Sequence, residues 1–409
     1  MIIMKKLDEI KVLRDPIHGY IHIRYKIIWD CLNSPEFQRL RRIHQLGATN
    51  MVYHTAEHSR FAHSLGVYEI VRRMISENND IAQTLTQYEK ITVMLAALLH
   101  DIGHGPFSHS FEHVSKYNHE EYTCNIITKD STIYRILSKE NPRLPYDVAS
   151  VINHTHPNPI LIQMVSSQLD ADRMDYLLRD AYFTGTSYGE FDLERVLRTI
   201  RVKNQRLVVK ESGIHTIEDY IMARYHMYWQ VYYHPVSRSY EAILHSFFKR
   251  LIDVYQTNPS IIDEAPLFAS LCEKEYLTNE ELYEFDECTC QYGFMQFSKC
   301  DDKILRDLSL RLLNRNLFEY DDVYTIDQEN EYFKWIQSHG YDPEYYMYVD
   351  RTEQRPYQPY RDNEDNAIWV VMRDGSIKEL SKVSTIVDAI LKGENKNEKK
   401  VFFPDELNN

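Results

Sequence analysis

Apolar side chains in the first 250 residues recur mainly at steps of three and four positions. One such series consists of Phe61, Leu65, Tyr68, Val71 and Ile75. This spacing places the apolar side chains on one face of a helix, and it predicts a helix over residues 59–77 that faces a core. Residues 91–99 are almost continuously apolar, which predicts a buried helix. Two further long helical patterns cover residues 160–182 and 216–252, so we expect a helical body from about residue 24 to about residue 250.

Strand-like alternation is confined to short segments. Residues 201–210 predict a small hairpin between helices. Residues 368–372 and 377–380 flank an Asp-Gly pair, which is typical of a tight hairpin turn. Residues 392–400, with the sequence KGENKNEKK, are interpreted as a solvated charged loop or a frayed segment.

The pattern changes near residue 258, where a connection rich in polar residues ends the helical body. Glycine and proline are scarce, at 12 and 14 residues, which suits helices joined by short connections. We therefore predict a mainly α fold. It consists of a helical body, residues 1–257, and a smaller C-terminal helical and α+β region, residues 258–409.

Composition excludes several classes of function. The chain is 43% hydrophobic and 26% charged, as expected for a globular protein, and its net charge of −14 argues against a general affinity for nucleic acid. A phosphorylated small molecule bound in a local pocket remains compatible with that charge. The sequence lacks an apolar run long enough to span a membrane, the N-terminus lacks the apolar segment of a signal peptide, and six cysteines in 409 residues are too few for a disulfide framework. We expect a cytoplasmic protein.

Histidines and aspartates cluster in the body. His100 and Asp101 end the apolar run, and glycines on both sides of His104 favour a turn that exposes several histidines on one side. His63 lies on the helix predicted over residues 59–77. The residues Asp172, Tyr176 and Asp180 are spaced four apart and share one helical face. A divalent ion needs three or four nitrogen or oxygen ligands from separate elements, and this set could supply them. For any single residue a packing role explains its presence equally well; for the whole set it does not.

Five motifs in a fixed order carry a family resemblance. They are DPIHGYI (15–21), FQRLRRIHQLG (37–47), EHSRFAHSLGVY (57–68), LLHDIGHGPFSHSFEH (98–113) and DADRMDYLLRDAYFTG (170–185). The chain resembles the HD-domain deoxynucleoside triphosphate triphosphohydrolases, and most closely their SAM-and-HD-domain branch in a bacterial form without the SAM domain. The resemblance covers residues 8–250 closely and 311–320 more loosely, and it implies that residues 1–257 form an HD-domain catalytic core.

The resemblance also implies a reaction and a metal site. The implied ligands of one divalent ion are His63, His100, Asp101 and Asp172. The donor set suits Mn, Fe, Mg, Ni or Zn without choosing among them, and Mg is expected to accompany the nucleotide phosphates. The implied reaction converts a dNTP and water into a deoxynucleoside and triphosphate. His109 with Glu112 matches the pair that protonates the leaving oxygen, and His104 and His119 match further histidines of the phosphate pocket.

Substrate and regulatory residues follow from the same resemblance. The implied substrate contacts are Gln45, Leu46, Arg60, Arg173, Tyr176, Asp180, Arg224, Tyr228, Tyr232 and His234. Among them, Gln45 and Asp180 would hold the sugar 3′-hydroxyl, and Tyr232 would pack where a 2′-hydroxyl would clash. The residues Asn33, Gln38 and Arg41 correspond to an activating-nucleotide site at subunit interfaces of a homotetramer or dimer. Because Asn33 replaces an Asp that reads guanine, activation by another nucleotide, or by none, stays open.

Two other functional hypotheses compete with that of a triphosphohydrolase. One retains the metal site but acts as a phosphatase or phosphodiesterase on another nucleotide. The other is a nucleotide-sensing regulator with a degenerate site. The sugar and phosphate contacts argue against the first, and the intact set of four metal ligands argues against the second.

Overall fold

The computed structural model describes residues 5–108, 110–112, 118–274, 276–354, 360–361, 364–365, 367–393 and 396–408. The α-helices are α1 (Lys26–Leu32), α2 (Pro35–Arg39), α3 (Arg60–Glu77), α4 (Asn79–Thr84), α5 (Gln87–Leu99), α6 (His119–Thr128), α7 (Thr132–Glu140), α8 (Leu144–Ile152), α9 (Pro159–Val165), α10 (Ala171–Thr184), α11 (Leu193–Thr199), α12 (Ile214–Met227), α13 (Pro235–Thr257), α14 (Ala269–Glu273), α15 (Asn279–Glu284), α16 (Glu287–Phe297), α17 (Lys303–Asn314), α18 (Ile326–Ser338), α19 (Pro343–Tyr346) and α20 (Thr385–Lys392). The strands are β1 (Lys6–Asp15), β2 (Gly19–Tyr25), β3 (Ile200–Lys203), β4 (Arg206–Lys210), β5 (Phe318–Asp322), β6 (Tyr348–Gln354), β7 (Tyr360–Arg361), β8 (Glu364–Asp365), β9 (Trp369–Val371), β10 (Ile377–Glu379) and β11 (Lys396–Pro404).

The mainly α fold is confirmed, and its centre is α5. This helix begins at a capping box in which Thr86 and Glu89 satisfy each other's backbone N–H groups. Every residue from Ile91 to Leu99 is buried, because α3, α8 and α9 pack around the helix. α10 packs on the other side of α3. The three helices α3, α5 and α10 carry the residues of the predicted metal site.

The two longest predicted helical stretches are helical but interrupted. Between α9 and α10 the chain leaves the helix, and Asp170 starts α10 by accepting a hydrogen bond from the backbone N–H of Arg173. After α12 the chain forms a π-helix over Tyr228–Tyr232. α13 then begins at Pro235, whose missing N–H is tolerated in the first turn of a helix. These interruptions place tyrosines of the π-helix beside α10.

Short sheets complete the fold. The hairpin predicted over residues 201–210 is confirmed as β3 and β4, and the predicted Asp-Gly hairpin is confirmed as β9 and β10, with Gly375 at a φ of +85°. β4 pairs with β9 in parallel, so one sheet takes strands from both sides of residue 258. The division of the chain at residue 258 stays a prediction.

The interpretation of residues 392–400 as a solvated loop was wrong for residues 396–400. These residues begin β11, the central strand of a three-stranded sheet with β5 and β6. The buried side chains of Val401, Phe402 and Phe403 place the strand in the core, and Lys400 is neutralised by Asp322 at 2.6 Å. The apolar segment that follows the charged run thus decides its conformation. Among the helices that the structure describes, none combines the length and the apolar character needed to cross a membrane.

Candidate active site

The four predicted metal ligands meet at one point. His63 comes from α3, His100 and Asp101 follow the end of α5, and Asp172 lies in the first turn of α10. Nε2 of His63 is 3.0 Å from Oδ1 of Asp172 and 3.9 Å from Oδ2 of Asp101, while Nε2 of His100 is 3.4 Å from Oδ1 of Asp101 and 3.6 Å from Oδ1 of Asp172. Two imidazoles and two carboxylates therefore converge, and we call these residues the HHDD cluster.

The hydrogen bonds behind the two imidazoles show that the HHDD cluster suits a cation. Nδ1 of His100 is 3.0 Å from the carbonyl oxygen of Ala97, and Nδ1 of His63 is 2.8 Å from Oδ2 of Asp175. Each Nδ1 therefore carries the proton, and each Nε2 lone pair points at carboxylate oxygens. Nε2 of His100 has no hydrogen-bond partner among the described residues. A divalent cation would satisfy these facing lone pairs.

In the absence of a cation, a proton takes its place at His63. Burial opposes the charged imidazole, but hydrogen bonds to Asp172 and Asp175 outweigh that cost and raise the pKa of His63 to about 10. For Asp101, burial is likewise outweighed by the nearby His100 and Arg60, which hold its pKa well below the usual range. The carboxylates are thus ionised and available for a cation.

A buried charged network supports His63. Asp175 accepts from His63, and its Oδ1 is 2.6 Å from Nε2 of His18. Arg179 donates to Asp175 at 2.8 and 2.9 Å and to Asp15 at 2.9 Å. Each of these side chains is at most 7% exposed, so the ring of His63 is held by a satisfied network rather than by solvent.

A second pair of imidazoles lies beside the HHDD cluster. The rings of His104 and His119 are stacked with centroids 3.9 Å apart, and Nε2 of His104 is 3.4 Å from Oδ1 of Asp101. Burial, together with the charges of Arg60 and His119, lowers the pKa of His104 well below its usual value. The sequence predicts that Glu112 pairs with His109. In the structure, Oε1 of Glu112 lies 2.6 Å from Nδ1 of His119. His109 lies outside the described residues.

A cavity of about 650 Å³ opens onto these groups. Its lining includes most of the predicted site residues, namely Gln45, Leu46, Arg60, Asp101, His104, His119, Asp172, Tyr176, Asp180, Tyr228 and Tyr232. A cavity of this size is typical of small-molecule sites. The fold therefore brings together residues that are up to 187 positions apart in the sequence.

One wall of the cavity is polar and rigid. The carboxylate of Asp180 is 2.7 Å from Nε2 of His58 and accepts a hydrogen bond of 2.8 Å from the hydroxyl of Tyr232. Burial and the charge of Asp180 raise the pKa of Tyr232 well above its usual value, so the hydroxyl stays a donor. Oε1 of Gln45 is buried and lacks a hydrogen-bond partner in the described part of the chain. An acceptor is thus available to a ligand hydroxyl at this wall.

Of the three arginines among the predicted substrate contacts, one lines the cavity. Arg60 does so, bonded to Asp101 at 2.5 Å and to Ser108 at 2.7 Å. Arg173 pairs with Asp170, and Arg224 donates to Gln168 at 2.7 Å. Neither is part of the cavity lining.

The remaining predicted residues lie elsewhere. His234 caps α13 and is absent from the cavity lining. Asn33, Gln38 and Arg41 follow one another around α2. Asn33 donates to the carbonyl of Trp29, Gln38 donates to that of Leu32, and Arg41 donates to Oε1 of Gln38 at 2.9 Å. These three residues are outside the cavity lining and engage neighbours in their own chain.

Comparison with known proteins places the cluster in a family. A model described as "HD domain" matches residues 60–180, and one described as "HD associated region" matches residues 191–269. The "uncharacterized protein YwfO" of Bacillus subtilis (strain 168) is 46% identical over 98% of this chain and 94% of its own length. The crystal structure of a phosphohydrolase from Bacteroides thetaiotaomicron VPI-5482 has a TM-score of 0.84 and 29% identity, and covers 97% of this chain and 100% of that one. The chain belongs to the HD-domain phosphohydrolase family.

More distant relatives of this HD-domain phosphohydrolase carry a named activity. The "deoxynucleoside triphosphate triphosphohydrolase SAMHD1 homolog" of Dictyostelium discoideum is 28% identical over 57% of this chain and 48% of that protein. The SAMHD1 protein of Danio rerio, described by the same activity, is 27% identical over 59% of this chain and 46% of its own length. Both matches span little more than half of the chain.

The network behind the HHDD cluster was not predicted from the sequence. Asp15 and His18 lie in the motif DPIHGYI, and Asp175 and Arg179 lie in DADRMDYLLRD, but none of them was assigned a role. The spacing of Asp175 and Arg179, four residues apart, was a detectable signal of an ion pair on one helical face. Their contact with β1 and α3 depends on the tertiary structure.

Proposed function

We propose that this HD-domain phosphohydrolase is a metal-dependent triphosphohydrolase of dNTPs. The observation that carries the proposal is the single cavity that joins the HHDD cluster to the wall formed by Gln45, Asp180 and Tyr232. A phosphate group would fit the end of the cavity that holds the divalent ion and Arg60, and a deoxyribose would fit the polar wall. The named activity of the SAMHD1 relatives supports the same substrate class.

The HHDD cluster would hold the divalent ion, which lowers the pKa of a bound water and offsets charge on a phosphoryl oxygen. Arg60 presents its guanidinium to the cavity beside Asp101, where it would attract the phosphate chain. His119, oriented by Glu112, would give a proton to the leaving 5′-oxygen. His109, the residue named for this role from the sequence, is the alternative donor.

The polar wall would select the sugar. Oε1 of Gln45 would accept the single proton of the 3′-hydroxyl, and Asp180, which contacts His58 and Tyr232, would hold the Tyr232 ring beside the sugar. A sugar fixed in this way leaves a 2′-hydroxyl to meet the ring of Tyr232. We expect rejection of ribonucleotides, because a displaced sugar would leave buried polar groups unpaired.

Product analysis tests the reaction. The metal-loaded protein is incubated with each dNTP and each rNTP, and the products are separated by ion chromatography. Triphosphate and deoxynucleoside in equal amounts are the expected products. Phosphate or pyrophosphate without triphosphate would instead identify a phosphatase or phosphodiesterase, and the absence of any product would favour a nucleotide-sensing regulator. Asp172→Asn, which removes one ligand charge, is the variant that should abolish all turnover.

Regulation by nucleotides is a further part of the proposal. Asn33, Gln38 and Arg41 lie together near the surface, where an activating nucleotide between subunits would contact them. We expect sedimentation velocity with and without dNTPs to show assembly to a dimer or tetramer. If sedimentation is unchanged in the presence of every nucleotide, the proposed regulation is wrong, and the proposed reaction is not affected.

A further inference from the structure

The cavity extends past the groups assigned to phosphate and sugar. Its far wall is made by α13, which contributes Arg238 and Glu241, and by β6, which contributes Asp350 and Thr352. Arg238 and Glu241 are three residues apart and therefore share a face of α13. The reaction proposed above uses none of these side chains.

Arg238 is buried, and some of its N–H groups lack a hydrogen-bond acceptor among the described residues. Its side chain is 4% exposed, and its Nε donates to Oδ2 of Asp350 at 2.6 Å. Its two terminal nitrogens have no hydrogen-bond partner within the described ranges, and the nearest further carboxylate oxygen, on Glu398, is 3.9 Å from Nη1. Buried donors without acceptors are costly, so a ligand in the cavity is the expected source of acceptors.

Aromatic side chains connect the HHDD cluster to the wall that contains Arg238. A series of ring contacts leads away from His63 through Tyr176, Tyr232, Tyr228 and Tyr233, with centroid separations of 6.5, 6.1, 5.1 and 5.6 Å. The charges of Arg238 and Asp350 act on Tyr233 at the end of this series. With the phosphates at the cluster and the sugar at Tyr232, the nucleobase reaches the wall that contains Arg238.

The donors and acceptors of this wall match one base. Guanine presents two neighbouring acceptors, N7 and O6, followed by the N1–H and N2–H donors, whereas adenine presents an N7 acceptor followed by an N6–H donor. A guanidinium with two available nitrogens fits N7 and O6, and the adjacent carboxylate of Glu241, when ionised, fits the N1–H and N2–H groups. We propose that Arg238 and Glu241 bind the guanine edge and make the protein prefer dGTP to dATP. This inference rests on the proposed function for the placement of phosphate and sugar.

Equilibrium binding tests the base preference without turnover. The Kd values of dGTP and dATP analogues in which a methylene group replaces the 5′-oxygen, and so removes the bond that the proposed reaction breaks, are measured by calorimetry on the metal-loaded full chain. We expect tighter binding of the dGTP analogue by a factor between about 5 and about 150. Arg238→Lys retains the charge next to Asp350 but loses the paired donors, so the ratio should fall, and the preference that is left should come from Glu241. Equal Kd values in the wild type, or a ratio unchanged in Arg238→Lys, would overturn the inference.

Two further variants make the test specific. Arg250→Lys is the control, because Arg250 lies on the same helix and pairs with Asp302 away from the cavity. It should retain the wild-type ratio. If Arg238→Lys does not fold, Glu241→Gln provides the second test. It should reduce the preference for the dGTP analogue, and an unchanged ratio in Glu241→Gln would contradict the proposal.

Failure of the inference and failure of the proposed function give different results. If both analogues bind equally and triphosphate is released from dNTPs, the proposed base preference is wrong and the proposed reaction stands. Preferential binding of the dGTP analogue, with no triphosphate released from any dNTP, would remove the reaction and leave the guanine subsite.

Discussion

At the scale of single residues, the direction of the imidazole lone pairs decides what the site can bind. His63 and His100 each give their Nδ1 proton to an acceptor behind the ring, so both Nε2 atoms face the carboxylates of the HHDD cluster. Asp175 performs this task for His63 and is itself held by His18 and Arg179. Residues that never touch substrate therefore contribute to ion affinity.

Asp175→Asn should weaken ion binding about 10- to 100-fold, because a neutral amide has one acceptor oxygen in place of two and holds the Nδ1 proton of His63 less strongly than a carboxylate does. Competition with a chelator whose affinity is known measures the change. Asp302→Asn is the control, since Asp302 also pairs with an arginine but lies outside the cavity lining. Equal ion affinity in Asp175→Asn and the wild type would refute the role of Asp175.

His119→Gln should retain the ion yet lower kcat by about 10²- to 10⁴-fold, the usual effect of losing a positioned proton donor. Steady-state kinetics and metal analysis on the same sample test this. His215→Gln is the control, because His215 is exposed and likewise lies 2.7 Å from a glutamate, Glu218. If His119→Gln retains full turnover, His109 is the proton donor instead. His109→Ala should then show the decrease in kcat.

Glu241→Gln should change how stability depends on pH. Burial and the charge of Asp350 raise the pKa of Glu241 from 4.5 to about 7. Because the folded state favours the protonated acid, Glu241 does not lower the free energy of unfolding below about pH 4.5. The free energy of unfolding then falls as the pH rises, until the pH passes about 7. The variant should therefore gain stability over the wild type across this window, by on the order of 3 kcal/mol above pH 7. Urea unfolding at several pH values measures the difference, and a difference independent of pH would contradict it.

At the scale of elements, the site depends on how closely α3 and α10 approach each other. A Cβ at Gly66 of α3 would lie 1.8 Å from Oδ1 of Asp175 and 2.5 Å from Nη2 of Arg179 on α10. No side chain fits there without moving the network that orients His63. The absence of a side chain at Gly66 thus sets the distance between two elements that supply metal ligands.

Gly66→Ala should destabilise the fold by about 1–3 kcal/mol, the usual cost of overpacking, and should also weaken ion binding. Denaturant unfolding and chelator competition measure the two effects. Gly393→Ala is a suitable control, because a Cβ there would make only ordinary contacts of 3.4 and 3.5 Å. Wild-type stability in Gly66→Ala would show that the two helices separate easily.

At the scale of the molecule, the HHDD cluster joins helices that are distant in the chain. His63 and Asp172 are separated by 109 positions, and α5 lies between their helices in the sequence. An ion bound by all three elements binds the folded state and not the unfolded chain. Ion binding is therefore linked to the stability of the whole body.

Removal of the ion should lower Tm. At a free concentration of 100 times Kd the ion should stabilise the fold by about 2.7 kcal/mol. Calorimetry of chelator-treated and reloaded protein measures the shift, and Asp172→Asn should show little response to reloading. Identical Tm values for the treated and reloaded wild type would mean that the ion does not bind at the cluster.

The sequence alone determined the mainly α fold, the helix ending at His100 and Asp101, both hairpins and the candidate ligands, because periodicity and short motifs are local properties. It misjudged residues 396–400, since the partners of β11 on β5 and β6 are distant in the chain. Only the tertiary structure decided that Asp175 lies behind His63, that Glu112 contacts His119, and that Arg238 faces the cavity. Each of these contacts joins segments whose approach is set by packing of the whole chain, which no local pattern encodes.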